Sequence, residues 1–281
     1  MLDLRKHTVA AAATLTLLVP ATALAATING GPGNERLQGT MMSDVIDGNA
    51  GNDRIFGRGA ADELIGGQGN DRVFGGAGND IITGVQGNDL LHGGAGEDTI
   101  TGDANNTGDR TSFDRIFGGA DNDTLKGGDS RDRIHGGGGN DTSDGENGND
   151  RMAGGSGDDV QTGGNGNDTI YANAGVDRSF GGDGDDTLWA LARTDVALAG
   201  VDTLDGGNGN DRFRTRDGEP DVITCGEGDD RAFLDNVDVI ADATPDKPNG
   251  SCEQVRRKAP KPSEAKSEDA QQSPAEEKVA A

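Results

Sequence analysis

Aromatic side chains are scarce: one Trp, one Tyr and seven Phe, 3% of a chain of 281 residues. All hydrophobic residues together reach only 31%. That is too little apolar material for a conventional core to offset the conformational entropy of ordering the chain. Positive charge is short as well. There are 25 Lys and Arg against 50 Asp and Glu, a net charge of −25, which argues against a nucleic-acid partner because phosphates are repelled. After the first 25 residues no stretch is apolar enough to span a bilayer. What the chain does have is glycine, 49 residues of it. It does not recur at every third position, which excludes collagen. By composition alone the chain reads as acidic and disordered. Either it is unfolded or something positive completes its fold.

The two ends differ from the middle. Residues 1–25 read as a secretory signal, with Arg5 and Lys6 ahead of an Ala/Leu/Val/Thr-rich stretch from Thr8 to Leu24 and a small-x-small site at Ala23-Leu24-Ala25. An uncleaved anchor is the alternative, disfavoured by the short stretch and by Pro20. Removing Asp3, Arg5 and Lys6 with the signal leaves a net charge of −26. The expected location is therefore secreted and extracellular, with association to the cell surface. Residues 256–281 are Lys, Glu, Ala, Pro, Ser and Gln without periodicity, and read as a disordered tail. The only cysteines are Cys225 and Cys252. In an exported chain they favour a disulfide, worth roughly 3 kcal/mol in the loop-entropy model. A metal site needs more soft ligands than two. Residues 234–255 are expected to form a cap closed by that bridge.

Self-similarity dominates the middle. Gly66-Gly67-Gln68-Gly69-Asn70-Asp71-Arg72-Val73-Phe74 is followed at once by Gly75-Gly76-Ala77-Gly78-Asn79-Asp80-Ile81-Ile82-Thr83. From Gly30 onward there are 21 such units of nine, two of them (at 102 and 190) lengthened to 16 residues. Position 6 is Asp almost throughout: Asp44, Asp53, Asp62, Asp71, Asp80, Asp89 and Asp98, then Asp123, Asp132, Asp141, Asp150, Asp159, Asp168, Asp177 and Asp186, then Asp211 and Asp230. Counting the last nine residues of the long units adds Asp114 and Asp202. Glu35 takes the place in the first unit. Position 8 is usually aliphatic, as in Ile55, Val73, Ile82, Ile100, Leu125, Ile134, Ile170 and Leu188.

Six residues of Gly, Asn and Asp make a turn, and three with an apolar centre make a short strand. Two units then make a coil of 18 residues with two turns and two strands. No coil buries enough alone, so coils must stack. About eleven coils at about 4.8 Å give a rod on the order of 50 Å long. Turns of alternate units stack on one edge, which lines up carboxylates at about 5 Å, a costly arrangement without compensation. Oxygen-lined gaps between them suit Ca²⁺, which takes six to eight oxygens, better than Mg²⁺. The alternative is that the Asp residues only cap turns.

The pattern G-G-x-G-x-D-x-U-x resembles the RTX, or haemolysin-type, calcium-binding nonapeptide over about residues 30–233, a signature of repeat architecture in general use. The resemblance implies an all-β, right-handed parallel β-roll of two short-stranded sheets over residues 26–233. It also implies several calcium ions between turns, with the position-6 Asp residues as the metal ligands. Units 2, 4, 10 and 11 lack the glycine of position 4 (Met42, Ala60 and Asp121 stand there in three of them), so weaker sites are expected. Many RTX proteins are proteases, lipases or toxins, but their activity resides in domains absent here. A non-enzymatic protein is expected, with no catalytic residues.

Odd and even units differ. Position 7 in odd units is mostly Arg: Arg36, Arg54, Arg72, Arg115, Arg133, Arg151, Arg212 and Arg231. Position 9 in odd units carries Phe56, Phe74, His92, Phe117, His135, Tyr171 and Trp189. Even units carry Val, Ile, Thr or Glu at position 7, apart from Arg178. The parity survives both insertions, so each seven-residue excess is expected to be an extruded loop, and 30–117 and 118–205 form two 88-residue blocks. The odd face would carry Arg and aromatic ladders. They either stabilise the sheet or form a ligand face for sugars and anionic glycans built from Phe56, Phe74, His92, Phe117, His135, Tyr171, Trp189, Arg54, Arg72, Arg133 and Arg151. Ser143, Gln161 and Ser179 replace inward aliphatics on the even side, which should weaken that half of the core. The expected function is a secreted structural β-roll of envelope or matrix that folds on calcium. The alternative is a calcium-rigidified carbohydrate-binding or adhesive module, with extracellular or cell-wall polysaccharide as partner.

Overall fold

The computed structural model describes residues 25–103, 112–190 and 201–259. Within them the chain is a parallel β-solenoid with no helix. Two sheets of twelve strands face each other. One takes every even unit and runs from Thr27–Asn29 to Val239–Ile240. The other takes every odd unit and runs from Arg36–Gln38 to Gln254–Arg257. Within the regular units each strand pairs with the strand 18 residues on, position for position, as Arg54↔Arg72, Ile55↔Val73 and Phe56↔Phe74 show.

Position 8 fills the interior because it is the centre of each apolar triplet. Ile46, Ile55, Leu64, Val73, Ile82, Leu91, Ile100, Ile116 and Leu125 are fully buried between the sheets. The two 16-residue units do not disturb the stacking. Arg115 pairs with Leu90 on one side and Arg133 on the other, and Thr203 pairs with Arg178 and Val222. The excess residues expected to loop out fall largely in 104–111 and 191–200, outside the described residues, as do residues 1–24 of the expected signal.

Three features differ from the expectation. Most strands are six residues long, not three, as in Arg72–Ala77. Positions 1 to 3 stay in register with the coils on either side, so their backbone groups also find ladder partners, for example Gly69 N–H to Gln86 O at 2.8 Å. The turn is confined to positions 4 to 6. Second, the unit frame counted from Gly30 leaves out the first strand, Thr27–Asn29, which lies inside the expected 26–233 roll and puts Ile28 in the core. Third, both sheets continue past residue 233. The segment expected as a cap contributes strands, and the last strand takes in Arg256 and Arg257, which were expected to be tail. The Cys225–Cys252 disulfide forms as expected and ties the last coil to the one beneath it.

Each glycine of the unit has its own cause. A Cβ on Gly66 would lie 2.6 Å from Asp71 Oδ2 and 2.9 Å from the Gly84 carbonyl oxygen. Gly67 (φ 111°) and Gly69 (φ 122°) are left-handed, which L side chains rarely adopt.

Candidate metal centre

The position-6 Asp residues stand in two rows, one along each edge of the solenoid. Every one of them is buried. The burial is local in origin, since each Asp immediately precedes its strand and its side chain turns back over position 1 of its own unit. Oδ1 accepts a backbone N–H from the Asp of the preceding coil. Asp53 N–H donates to Asp71 Oδ1 at 2.7 Å, and Asp71 N–H to Asp89 Oδ1 at 2.8 Å. The even row repeats this with Asp62 to Asp80 and Asp80 to Asp98, each at 2.8 Å. The chain of bonds crosses the insertions, from Asp89 to Asp114 and from Asp186 to Asp211.

The second oxygen is different. In most of the expected ligands, Asp53, Asp71, Asp89 and Asp141 among them, Oδ2 is buried with no hydrogen-bond partner. Asp44, in the first described even turn, is bonded by Thr40 N–H at 2.5 Å. Orphaned buried carboxylate oxygens are rare because desolvating them unpaired is costly. Here they recur coil after coil, and most face a backbone carbonyl across the space above a position-1 glycine, as Asp71 Oδ2 and Gly84 O do above Gly66.

Burial is the main cause that pushes these carboxyls up from their ordinary value of 3.8. The N–H bond to Oδ1 pulls the other way, and for many of them neighbouring carboxylates add to the rise. Asp53, Asp80, Asp98 and Asp168 are pushed up to about 6. Asp62, Asp89, Asp123, Asp132, Asp159, Asp186 and Asp211 reach about 7. Asp150 reaches about 8 and Asp114 about 9, the latter with Asp89, Asp132 and Asp103 close by. Such a row is poised either to hold protons or to accept cations.

Among the described residues no three His, Cys, Asp or Glu side chains converge on one point. A cation here would therefore take backbone carbonyls together with the Asp oxygens. That donor set, all hard oxygen, fits Ca²⁺.

Sequence reasoning missed several members. Asp221 and Asp238 continue the even row. Asp202 N–H donates to Asp221 Oδ1, and Asp221 N–H to Asp238 Oδ1, both at 3.3 Å. Burial and three nearby carboxylates push Asp221 up to about 10. Its turn has an extra residue and the next has lost its glycines, so the unit frame hid both. The surviving signal is Asp-x-aliphatic, in Asp221-Val222-Ile223 and Asp238-Val239-Ile240. Glu253 ends the odd row, accepting the Asp230 N–H at 3.0 Å. A companion row at position 5 was also missed. Asn52 Oδ1 accepts from Asn70 N–H at 2.7 Å, and Asn70 Oδ1 from Asn88 N–H at 2.8 Å. The Asn row thus bonds toward the next coil and the Asp row toward the preceding one.

The odd-face aromatics stack along the rod. Ring centroids are 5.2 Å apart for Phe56–Phe74, then 6.4, 6.1 and 6.3 Å through His92, Phe117 and His135, at interplanar angles of 10–36°. Ala153 breaks the stack, and Tyr171–Trp189 resumes it at 5.8 Å. Guanidinium groups cover the ends, Arg36 over Phe56, Arg151 over Tyr171 and Arg214 over Trp189. Ring faces turned to each other and to arginines suit a stabilising ladder better than a platform for sugars.

A family model described as RTX calcium-binding nonapeptide repeat (4 copies) matches residues 29–64, 38–73, 56–91, 74–107, 111–143, 144–161, 154–188 and 196–220. Together these cover more than half of the chain. No curated protein matches it. The spacing, the two Asp rows and this match agree, and the chain belongs to the RTX, haemolysin-type calcium-binding nonapeptide repeat family.

Proposed function

We propose that this protein is exported and that its β-roll is completed by several calcium ions held along the two Asp rows, so that it becomes a rigid rod where calcium is plentiful. The observation that carries this is the recurrence of buried, partnerless Asp Oδ2 atoms. Bound calcium supplies the positive charge these oxygens lack. The chain's own residues set where it goes: Oδ1 is fixed by the backbone bond, Oδ2 is left for the ion, and the position-1 glycine leaves the space open. Ligands that bind only the folded state stabilise it. Extracellular modules of this type need calcium at about 10⁻⁴–10⁻³ M, so the rod would stay soft before export. The signal-like residues 1–25 and the Cys225–Cys252 bridge support an oxidising compartment.

The role read from this is structural and non-enzymatic. His92 and His135 are stacked in the ladder beside phenylalanines. A second reading, a calcium-rigidified carbohydrate-binding or adhesive module, rests on the arginine column of the odd face.

Equilibrium dialysis against calcium tests the first reading. Several ions per chain are expected, fewer after Asp80→Asn with Asp98→Asn, and no change after Asp246→Asn on the exposed C-terminal turn. No bound calcium, or equal binding by all three chains, would overturn it.

A further inference from the structure

The two edges of the rod are not alike. Beside the odd Asp row runs a groove of about 490 Å³, walled by Arg54, Arg72 and Arg115 with Asn52, Asn70 and Asn88; Leu90 stands between Arg72 and Arg115 in the column, and Phe113 completes the lining. Asp53, Asp71 and Asp89 line its inner side. A second groove of about 450 Å³ lies around Arg212 and Arg231, with Asn167, Asn210 and Thr187, but Asp185, Asp186, Asp211 and Asp229 also line it, so carboxylates outnumber guanidiniums there. Arg36, Arg54 and Arg72 stand in register on adjacent strands. Arg54 and Arg72 are exposed, and no ion pair joins either to a described residue. The even edge offers Val45, Glu63, Ile81 and Thr99 at the same position.

We propose that the odd-edge arginine column is a binding track for a linear polysaccharide that carries carboxylates at regular intervals. Guanidinium groups bind planar carboxylates through paired N–H bonds. A column repeating at about 4.8 Å rewards a ligand whose charges also repeat. The Asn amides and Thr187 beside the arginines suit sugar hydroxyls. Single-stranded nucleic acid is a poorer match, because it wants free aromatic faces for its bases, and here the ladder rings are stacked on one another while Phe113 lies under Arg115 and Arg133. This inference rests on the calcium reading. With calcium in the odd row, Asp53, Asp71 and Asp89 are neutralised and the arginines are left in excess. Without it the groove carries as many carboxylates as guanidiniums.

The test uses the full mature chain and short uronic-acid oligosaccharides, too short to gel with calcium, by isothermal titration. Far-UV circular dichroism on the same samples reports the calcium-dependent fold separately. In calcium, the wild type should bind, and Arg54→Gln with Arg72→Gln should weaken binding at least about tenfold with the fold unchanged. Arg178→Gln on the even face should bind as wild type. The single arginine variants give the same reading if the double variant folds poorly. Affinity should fall with added salt. A folded wild type that does not bind, a double variant that binds unchanged, or equal binding of neutral oligosaccharides or single-stranded DNA would overturn the track. Arginine-dependent binding that persists in chelator would overturn its dependence on calcium. Absence of the calcium-induced fold itself would count against the calcium reading alone.

Discussion

The odd and even sheets share one backbone repeat yet carry different side-chain programmes. In the odd sheet the inward row is apolar through Ile134, Met152, Ile170 and Leu188, and the outward row is reinforced by stacked rings and arginines. In the even sheet Ser143, Gln161 and Ser179 occupy the interior, all buried. Gln161 Nε2 finds no partner there, and Ser179 Oγ reaches Gln161 Oε1 only at 3.4 Å. The consequence is visible in the core. One apolar cluster runs from Ile28 to Ile170 and a second begins at Leu188. The aromatic ladder breaks at Ala153, beside the same seam. The turns fix the coil, while the two faces are free to diverge, and in a solenoid stability is a sum of local neighbour terms.

That difference can be broken most sharply by extending the polar seam across the rod. Ile170→Ser places a hydroxyl in the odd inward row at the last residue of the first cluster, in sequence between Gln161 and Ser179. A loss of about 3–5 kcal/mol is expected, with urea unfolding in calcium splitting into two transitions. A single transition with less than about 1 kcal/mol lost would mean the two clusters do not act as separate units.

Acid offers the next largest effect, this time on both edges at once. Burial raises most of the row carboxyls above an ordinary 3.8, Asp53 to about 6, Asp150 to about 8 and Asp114 to about 9. A raised carboxyl stabilises the metal-free fold fully below its unfolded value, and the contribution is lost as pH rises through the folded value. In chelator, the β signal should therefore be strongest near pH 4 and fade toward pH 9. Calcium affinity should move oppositely, because protons compete for the same oxygens. A metal-free fold that gains stability from pH 4 to 9 would contradict the burial that sets these shifts.

Repairing the even sheet is the third test. Gln161→Leu removes the buried orphan amide and should stabilise the chain by about 1 kcal/mol, read as a higher urea midpoint. A destabilised variant would mean that the polar seam is satisfied in a way these contacts do not capture. The smallest effect contrasts the outer faces. Phe74→Ser on the odd face should cost about 1 kcal/mol through lost stacking, and Thr83→Ser on the even face less than about 0.5 kcal/mol. Equal costs would mean that the ladder adds nothing to the sheet.

Much of this was readable in the residues because the repeat couples chemistry to position. The nine-residue period places Asp, aliphatic and glycine in fixed roles, and the Arg and Phe parity reveals the coil of 18. What was hidden follows from where that coupling weakens. Asp221 and Asp238 lie in turns of altered length. Ile28 sits in a unit without glycines, and Val255 in a strand after a long disulfide-closed excursion. The Asn row was overlooked because an exposed amide reads as turn chemistry, and only stacked coils show that Asn70 caps Asn88 while Asp89 caps Asp71. Strand length was underestimated because glycine is a poor strand former alone, whereas here neighbouring coils supply its ladder partners.

The central claim is that the Asp rows need calcium. Far-UV circular dichroism of residues 26–281 at neutral pH, titrated with Ca²⁺ and separately with Mg²⁺, tests it most directly. A cooperative coil-to-β transition with Ca²⁺ and none at equal Mg²⁺ is predicted. A β spectrum already complete in chelator, or an equal response to Mg²⁺, would contradict it.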